Sequence, residues 1–153
     1  MPLSLRKGRQ GVLKRARGAG LCVEQVDQFD CFWPVLEQNL VERHGTKPVH
    51  TLGEITYFGG AVPENILLFV CAEGEEVLAG SVLYLSTNVC HVHYNGASAE
   101  GRRQGALDLL VAEVIERFSS PHRVIDFGIS TELDGRQLNA GLIDYKEASA
   151  PEP

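Results

Sequence analysis

The alternation of apolar and polar positions divides the chain into helical and strand-like stretches. Residues 3–18 read as a basic helix, weakened by Gly8, Gly11 and Gly18. Gly18 and Gly20 end it, and Leu21 to Gln25 reads as a short strand. Asp27 has the chemistry of an N-cap for a helix from Gln28 to about Arg43, with Phe29, Phe32, Leu36 and Leu40 on one face. His44-Gly45, with Pro48 beyond, would stop it. Thr51 with Glu54 three residues on has the form of a capping box and predicts a further short helix.

A β region follows. Ile66 to Ala72 is an unbroken apolar run, as in a strand buried on both faces. Glu73-Gly74-Glu75 reads as a turn, Val77 to Leu85 as a second strand, Thr87-Asn88 as a turn and Val89 to Ala97 as a third strand, so the three form an antiparallel meander. Ser98 to Gln104 reads as a polar loop. Gly105 to Phe118 is an amphipathic helix with Leu107, Leu110, Val111, Val114, Ile115 and Phe118 on one face, stopped by Ser119-Ser120-Pro121. Arg123 to Ile129 is a further strand, and a right-handed crossover makes it parallel to Val89–Ala97. Leu138 to about Glu147 reads as a last helix, and 148–153 as a frayed tail. The predicted class is α/β (α+β): a mixed sheet with helices on both faces, in one domain over 1–147.

Composition narrows the class. At 153 residues, 44% hydrophobic and 22% charged, the chain is neither collagen-like, coiled-coil nor wholly disordered. No apolar run reaches the ~18 residues of a membrane span, and no apolar segment follows the basic start as in a secretory signal. The four cysteines, Cys22, Cys31, Cys71 and Cys90, show no CxxC spacing, which predicts reduced thiols, no zinc site and a cytoplasmic setting. Charge is uneven. Residues 1–20 carry six cations and no acid, whereas the remainder carries eight cations and twenty acids. A basic arm on an acidic body either binds phosphate or nucleic acid or leans on its own domain.

The join from Tyr94 to Ala106 concentrates the chemistry: a strand end, a glycine-bearing loop with Arg102 and Arg103, then a helix N-terminus. Unpaired N–H groups and two guanidiniums there suit phosphate or pyrophosphate. His91 and His93 alternate onto one strand face, with Tyr94 on the other. As a metal pair they lack a third ligand, and either is a candidate general base. Asp126 and Glu132 sit toward a strand's C-terminal end, where clefts form in α/β sheets, and either carboxylate is also a candidate base. An Asp126 buried in an apolar strand would have its pKa raised by desolvation unless paired. His44, Lys47 and His50 flank a proline turn.

With Arg102 first and Gly105 following, the run resembles the Gln/Arg-x-x-Gly-x-Gly/Ala pyrophosphate loop of the GNAT acyl-CoA N-acyltransferases, with Leu107 in place of the small residue. It is more similar to the FemAB-like or BioF2-like branch. Arg43-His-Gly-Thr-Lys-Pro-Val-His-Thr51, Pro63-Glu-Asn-Ile66, Glu76-Val-Leu-Ala-Gly80, Ser98-Ala-Glu-Gly-Arg102 with Gly105-Ala-Leu-Asp-Leu-Leu110, Asp126-Phe-Gly-Ile-Ser-Thr-Glu132 and Leu138-Asn-Ala-Gly-Leu142 with Lys146-Glu147 resemble it in order and spacing. The resemblance covers residues 5 to 147 and implies a sheet splayed between Val89–Ala97 and Arg123–Ile129, with an acyl-CoA, acetyl-CoA among them, in the gap. It implies donor contacts at Ala97, Ser98, Arg102, Arg103, Gln104, Gly105, Ala106 and Asn139, and acceptor contacts at His44, Lys47, His50 and Tyr94. Asp126, Glu132, His93 and Tyr145 are the catalytic candidates, Tyr145 because such enzymes often place a phenol near the thiol.

Three functions compete: transfer from acyl-CoA to a small-molecule or peptide amine, a Fem-like transfer from aminoacyl-tRNA, for which the basic arm suits the RNA backbone, and a non-catalytic GNAT half. In that branch the chain usually continues past Lys-Glu into further strands, so an open sheet edge that pairs with a second copy is expected.

Overall fold

The computed structural model describes residues 7–120 and 123–127, together with the backbone of 131–132 and 137–138. Its elements in chain order are α1 (Lys7–Gly18), β1 (Cys22–Val26), α2 (Trp33–His44), α3 (Leu52–Ala61), β2 (Ile66–Glu73), β3 (Glu76–Leu85), β4 (Val89–Ala97), α4 (Ala99–Gln104), α5 (Ala106–Phe118), β5 (Val124–Asp126), β6 (Thr131–Glu132) and β7 (Gln137–Leu138). Five strands form one sheet in the order β1-β2-β3-β4-β5, and β6 pairs with β7 separately. The first four strands are antiparallel neighbours, and β5 lies parallel to β4, as the crossover through α5 requires.

The unbroken apolar run of β2 is explained by cover on both faces. Leu67, Phe69 and Cys71 pack with Leu13 and Ala16 of α1 and with Leu109 and Leu110 of α5. Leu68 and Val70 point the other way, into Phe29, Phe32, Trp33, Leu36 and Ile55. Two glycines let the layers close: a Cβ at Gly80 would enter the Phe32 ring, and one at Gly101 would run into the Leu78 carbonyl oxygen. Among the described residues no helix is long and apolar enough to cross a membrane.

Several boundaries differ from expectation. Asp27 does not cap α2. A 3-10 turn at Phe29–Cys31 intervenes, and α2 starts at Trp33 with Phe32 as an N-cap that supplies no side-chain hydrogen bond. Pro34 decides the start, because its preset φ and missing N–H suit the first turn of a helix. Residues 98–104 are not a loop: Ser98 Oγ accepts from the Gly101 N–H at 3.0 Å and caps α4. Gly105, at φ 75°, then separates α4 from α5. β5 is described only over Val124–Asp126. Leu138 begins no helix; it pairs with Thr131 in an antiparallel ladder, whose hydrogen bonds override the local helical pattern. The rest of that predicted helix lies outside the described residues.

Candidate active site

One extra residue shapes the centre of β4. Val82 of β3 opposes Tyr94, yet the next residue, Leu83, opposes Val92, so His93 is bulged out of the ladder. An inserted residue resets the alternation of side chains. Tyr94 therefore does not face away from His93 as a regular strand would have it. The two rings lie 4.4 Å apart, and Tyr94 packs edge-on against Trp33 at 5.6 Å, on the α2 side.

His93 stacks on Tyr84 of β3, centroids 4.2 Å apart and planes within 14°. Its Nε2 is buried and has no hydrogen-bond partner. Burial, then the neighbouring His91 and His50, holds its pKa below the ordinary histidine value, so the ring favours its neutral form. His50 arrives from the turn before α3, where its backbone N–H donates to the Tyr94 hydroxyl at 3.1 Å and its Nδ1 lies 2.9 Å from the same oxygen. The Thr51–Glu54 capping box is present and fixes that turn. His44 closes α2 and Lys47 follows in the exposed turn. Among the described residues of that turn, His50 is the one whose ring meets the β4 rings, at 5.4 Å from His93.

His91 Nδ1 lies 2.9 Å from Asp126 Oδ2. Asp126 is thus paired and about half exposed, not buried in an apolar strand. This pair is also the last in the β4–β5 register, and β4 runs on to Ala97 without a β5 partner among the described residues. Glu132 lies on β6, and Asn139 and Tyr145 fall outside the described residues.

At the far end of β4 the side chains assigned to phosphate have partners within the chain. Arg102 Nη1 donates to the Ala97 carbonyl at 2.8 Å and to Asn39 Oδ1 at 3.1 Å, while Nη2 lies 3.5 Å from Glu42. The Ala97 N–H also donates to Asn39, at 3.4 Å. Arg103 is held by Glu100, and Gln104 donates to Glu100 at 2.6 Å and Glu73 at 3.1 Å. These bonds, Arg103 first, hold the Glu100 carboxyl below its ordinary range. Gly105 and the buried Ala106 form the α4–α5 junction, with α1 against it: a Cβ on Gly105 would stand 2.7 Å from Val12 Cγ1.

Sequence reasoning missed Asn39, Glu42 and Tyr84. Asn39 carries a signal: it is a polar residue three positions after Leu36 on the helix face that packs inward, and it is buried. Glu42 and Tyr84 carry none, because their partners are distant in sequence. The buried thiols are poor nucleophiles, with Cys71 pushed up to about 12 and Cys90 to about 11, both mainly by desolvation.

A family model described as the acetyltransferase (GNAT) domain matches residues 7–147. The chain belongs to the GNAT acetyltransferase domain family. None of the curated proteins matches it by sequence. Solved structures share the GNAT fold at low identity. An aminoglycoside acetyltransferase from an uncultured soil metagenomic sample, in complex with sisomicin, is 13% identical, with 86% of this chain and 88% of that one covered and a TM-score of 0.60. A possible acetyltransferase from Clostridium difficile 630 is 12% identical, with 87% and 91% covered and a TM-score of 0.62. FemX is 14% identical with a TM-score of 0.68; 95% of this chain is covered, but only 54% of FemX.

Proposed function

We propose that the chain is an N-acyltransferase that moves an acyl group from acyl-CoA, acetyl-CoA among them, to an amine by direct attack. The observation that carries this reading is the bulged His93, with an unpartnered Nε2 and a neutral ring, two residues beyond the last described β4–β5 pair. The thioester supplies an activated carbonyl and a thiolate leaving group. His93 Nε2 takes a proton from the acceptor nitrogen as that nitrogen bonds to the carbonyl carbon. The carbon–sulfur bond then breaks, and the thiolate leaves with the electron pair. The bulge takes His93's backbone off the β3 ladder, and a backbone N–H freed there would stabilise developing oxyanion charge. The thiols are not needed, consistent with their raised pKa values.

On the donor side, the β4 end and the α4–α5 junction, with Ala97, Ser98, Gly105 and Ala106, would hold the amide arm and the diphosphate. Arg102 and Arg103 are already paired with Glu42 and Glu100. That engagement favours one second reading: a donor without a diphosphate, such as aminoacyl-tRNA in Fem-like transfer.

Calorimetric titration with acetyl-CoA and CoA tests the proposal, with Arg103→Ala as the variant least coupled to the fold. Micromolar binding weakened in that variant supports an acyl-CoA donor. No binding to the native chain rejects it and turns attention to salt-dependent tRNA binding.

A further inference from the structure

A row of rings runs from solvent to the His93 ring, whose Nε2 has no partner. Tyr57 and Phe58 on α3 are 72% and 37% exposed, although aromatic side chains are normally withdrawn from water. Tyr57 lies 5.9 Å from Phe58, Phe58 lies 5.7 Å from His50, and His50 lies 5.4 Å from His93, which is stacked on Tyr84. Val49 before His50 and Val62 after α3 are exposed too, so this side of the molecule is apolar at the rim and aromatic toward the centre.

Two carboxylates beside this row are engaged, while Glu64, past Val62, is exposed. Glu54 accepts from the Thr51 N–H in the capping box, and Asp126 is paired with His91. The carboxylates a polycationic amine would need gather elsewhere: Glu24, Glu113 and Glu116 line a groove of about 380 Å³ on the α5 side of the sheet. A row of ring faces recognises flat apolar bodies and single cations, by stacking and by cation–π attraction.

We infer that the acceptor is a monoamine carried on an aromatic body, which lies along Tyr57, Phe58 and His50 and presents its nitrogen at His93 Nε2. This rests on the N-acyltransfer reading and names its acceptor class. Tyr57 and Phe58 are then specificity-determining residues that never touch the reacting atoms.

The test uses the full chain and its single tryptophan, Trp33, whose ring meets Tyr94 at 5.6 Å and so reports on the site by fluorescence. The probes are 2-phenylethylamine, n-butylamine and spermidine. The expected result is that phenylethylamine binds at least several-fold tighter than both others. Tyr57→Ala and Phe58→Ala should each weaken it roughly three- to tenfold, while acetyl-CoA binding and the melting temperature stay as they were. Equal binding of phenylethylamine and butylamine overturns the inference, as does tighter binding of spermidine. Loss of self-association in the Tyr57→Ala/Phe58→Ala chain also overturns it, because the patch is then covered by a second copy. Failure of acetyl-CoA to bind is a separate outcome: it removes the transfer reading whichever amine is preferred.

Discussion

The two faces of the sheet are built differently. Against α1 and α5 the strands present Leu67, Phe69, Cys71, Leu83, Cys90 and Val92, and the buried Ser81 hydroxyl on β3 is satisfied by Asn95 at 2.6 Å. Against α2 and α3 the core begins with Phe32, Leu36, Leu68 and Val82, then gives way to Tyr94 and His93 on β4 and to His50 before α3. A close-packed apolar face fixes where β4 runs. The other face carries polar rings on that same strand.

The sharpest way to break this division is to exchange the two kinds of damage. His93→Gln should lower kcat by about 10²- to 10⁴-fold, the range of a lost general base, and leave the melting temperature nearly unchanged. Leu109→Ala, in the centre of the α5 face, should cost about 2–5 kcal/mol of stability and leave kcat per folded molecule as it was. Steady-state kinetics beside thermal melts decides it. If His93→Gln mainly unfolds the chain, the β4 cluster is packing rather than chemistry.

Gly105→Ala comes next. Gly105 adopts φ 75°, and its missing Cβ makes room for Val12. The left-handed backbone alone costs a non-glycine residue about 1–2 kcal/mol, and the contact with α1 adds to that. Denaturant melts should show a loss of about 2 kcal/mol or more. The variant also asks whether α1 and the α4–α5 junction act as one unit: Val12→Ala in the same chain should recover part of the loss.

A smaller effect is expected with pH. The folded His93 takes up its proton at lower pH than an unfolded histidine, whose value is about 6.5. As pH falls through that ordinary value, the unfolded chain binds the proton first and stability declines. The decline ends below the folded value, where both states are protonated. The acid limb of kcat/KM should likewise lie below the ordinary histidine value. His93→Gln should remove this share of the stability slope, and a limb that stays in place with Gln at 93 assigns the base to another group.

How much of this was legible beforehand follows from how far apart the partners lie. β3, β4 and α5 were legible from their own periods, β2 from its unbroken apolar run, and the Thr51–Glu54 box because it closes over three residues. The parallel pairing of β4 and β5 followed from handedness alone. The bulge was not legible: His93 is the extra residue only by reference to Val82 and Leu83 on another strand, and β4 alone alternates without a break. The partners of Arg102 were hidden for the same reason. Asn39 and Glu42 lie some sixty residues earlier, and the two arginines read as free cations when only their own loop is in view. The direction of each polar group was set by contacts that no local pattern encodes.

The smallest expected effect separates position from packing on the α3 side. Thr51→Ala removes the acceptor for the Glu54 N–H and loosens the turn that carries His50. A lost cap costs about 1 kcal/mol, too little to unfold the domain. The Glu54 carboxyl, held below its ordinary range chiefly by the Thr51 backbone N–H, weakens the same turn as pH falls through its lowered value, because protonation removes the charged acceptor. If α3 and His50 only cover the core, Thr51→Ala lowers the melting temperature by a few degrees and nothing else. If they place the acceptor, KM for the amine rises two- to threefold at constant kcat, and Thr51→Ser, which restores the hydroxyl, returns it. The apolar face makes the opposite prediction for a loss of similar size: Val114→Ala should move the melting temperature and leave KM where it is.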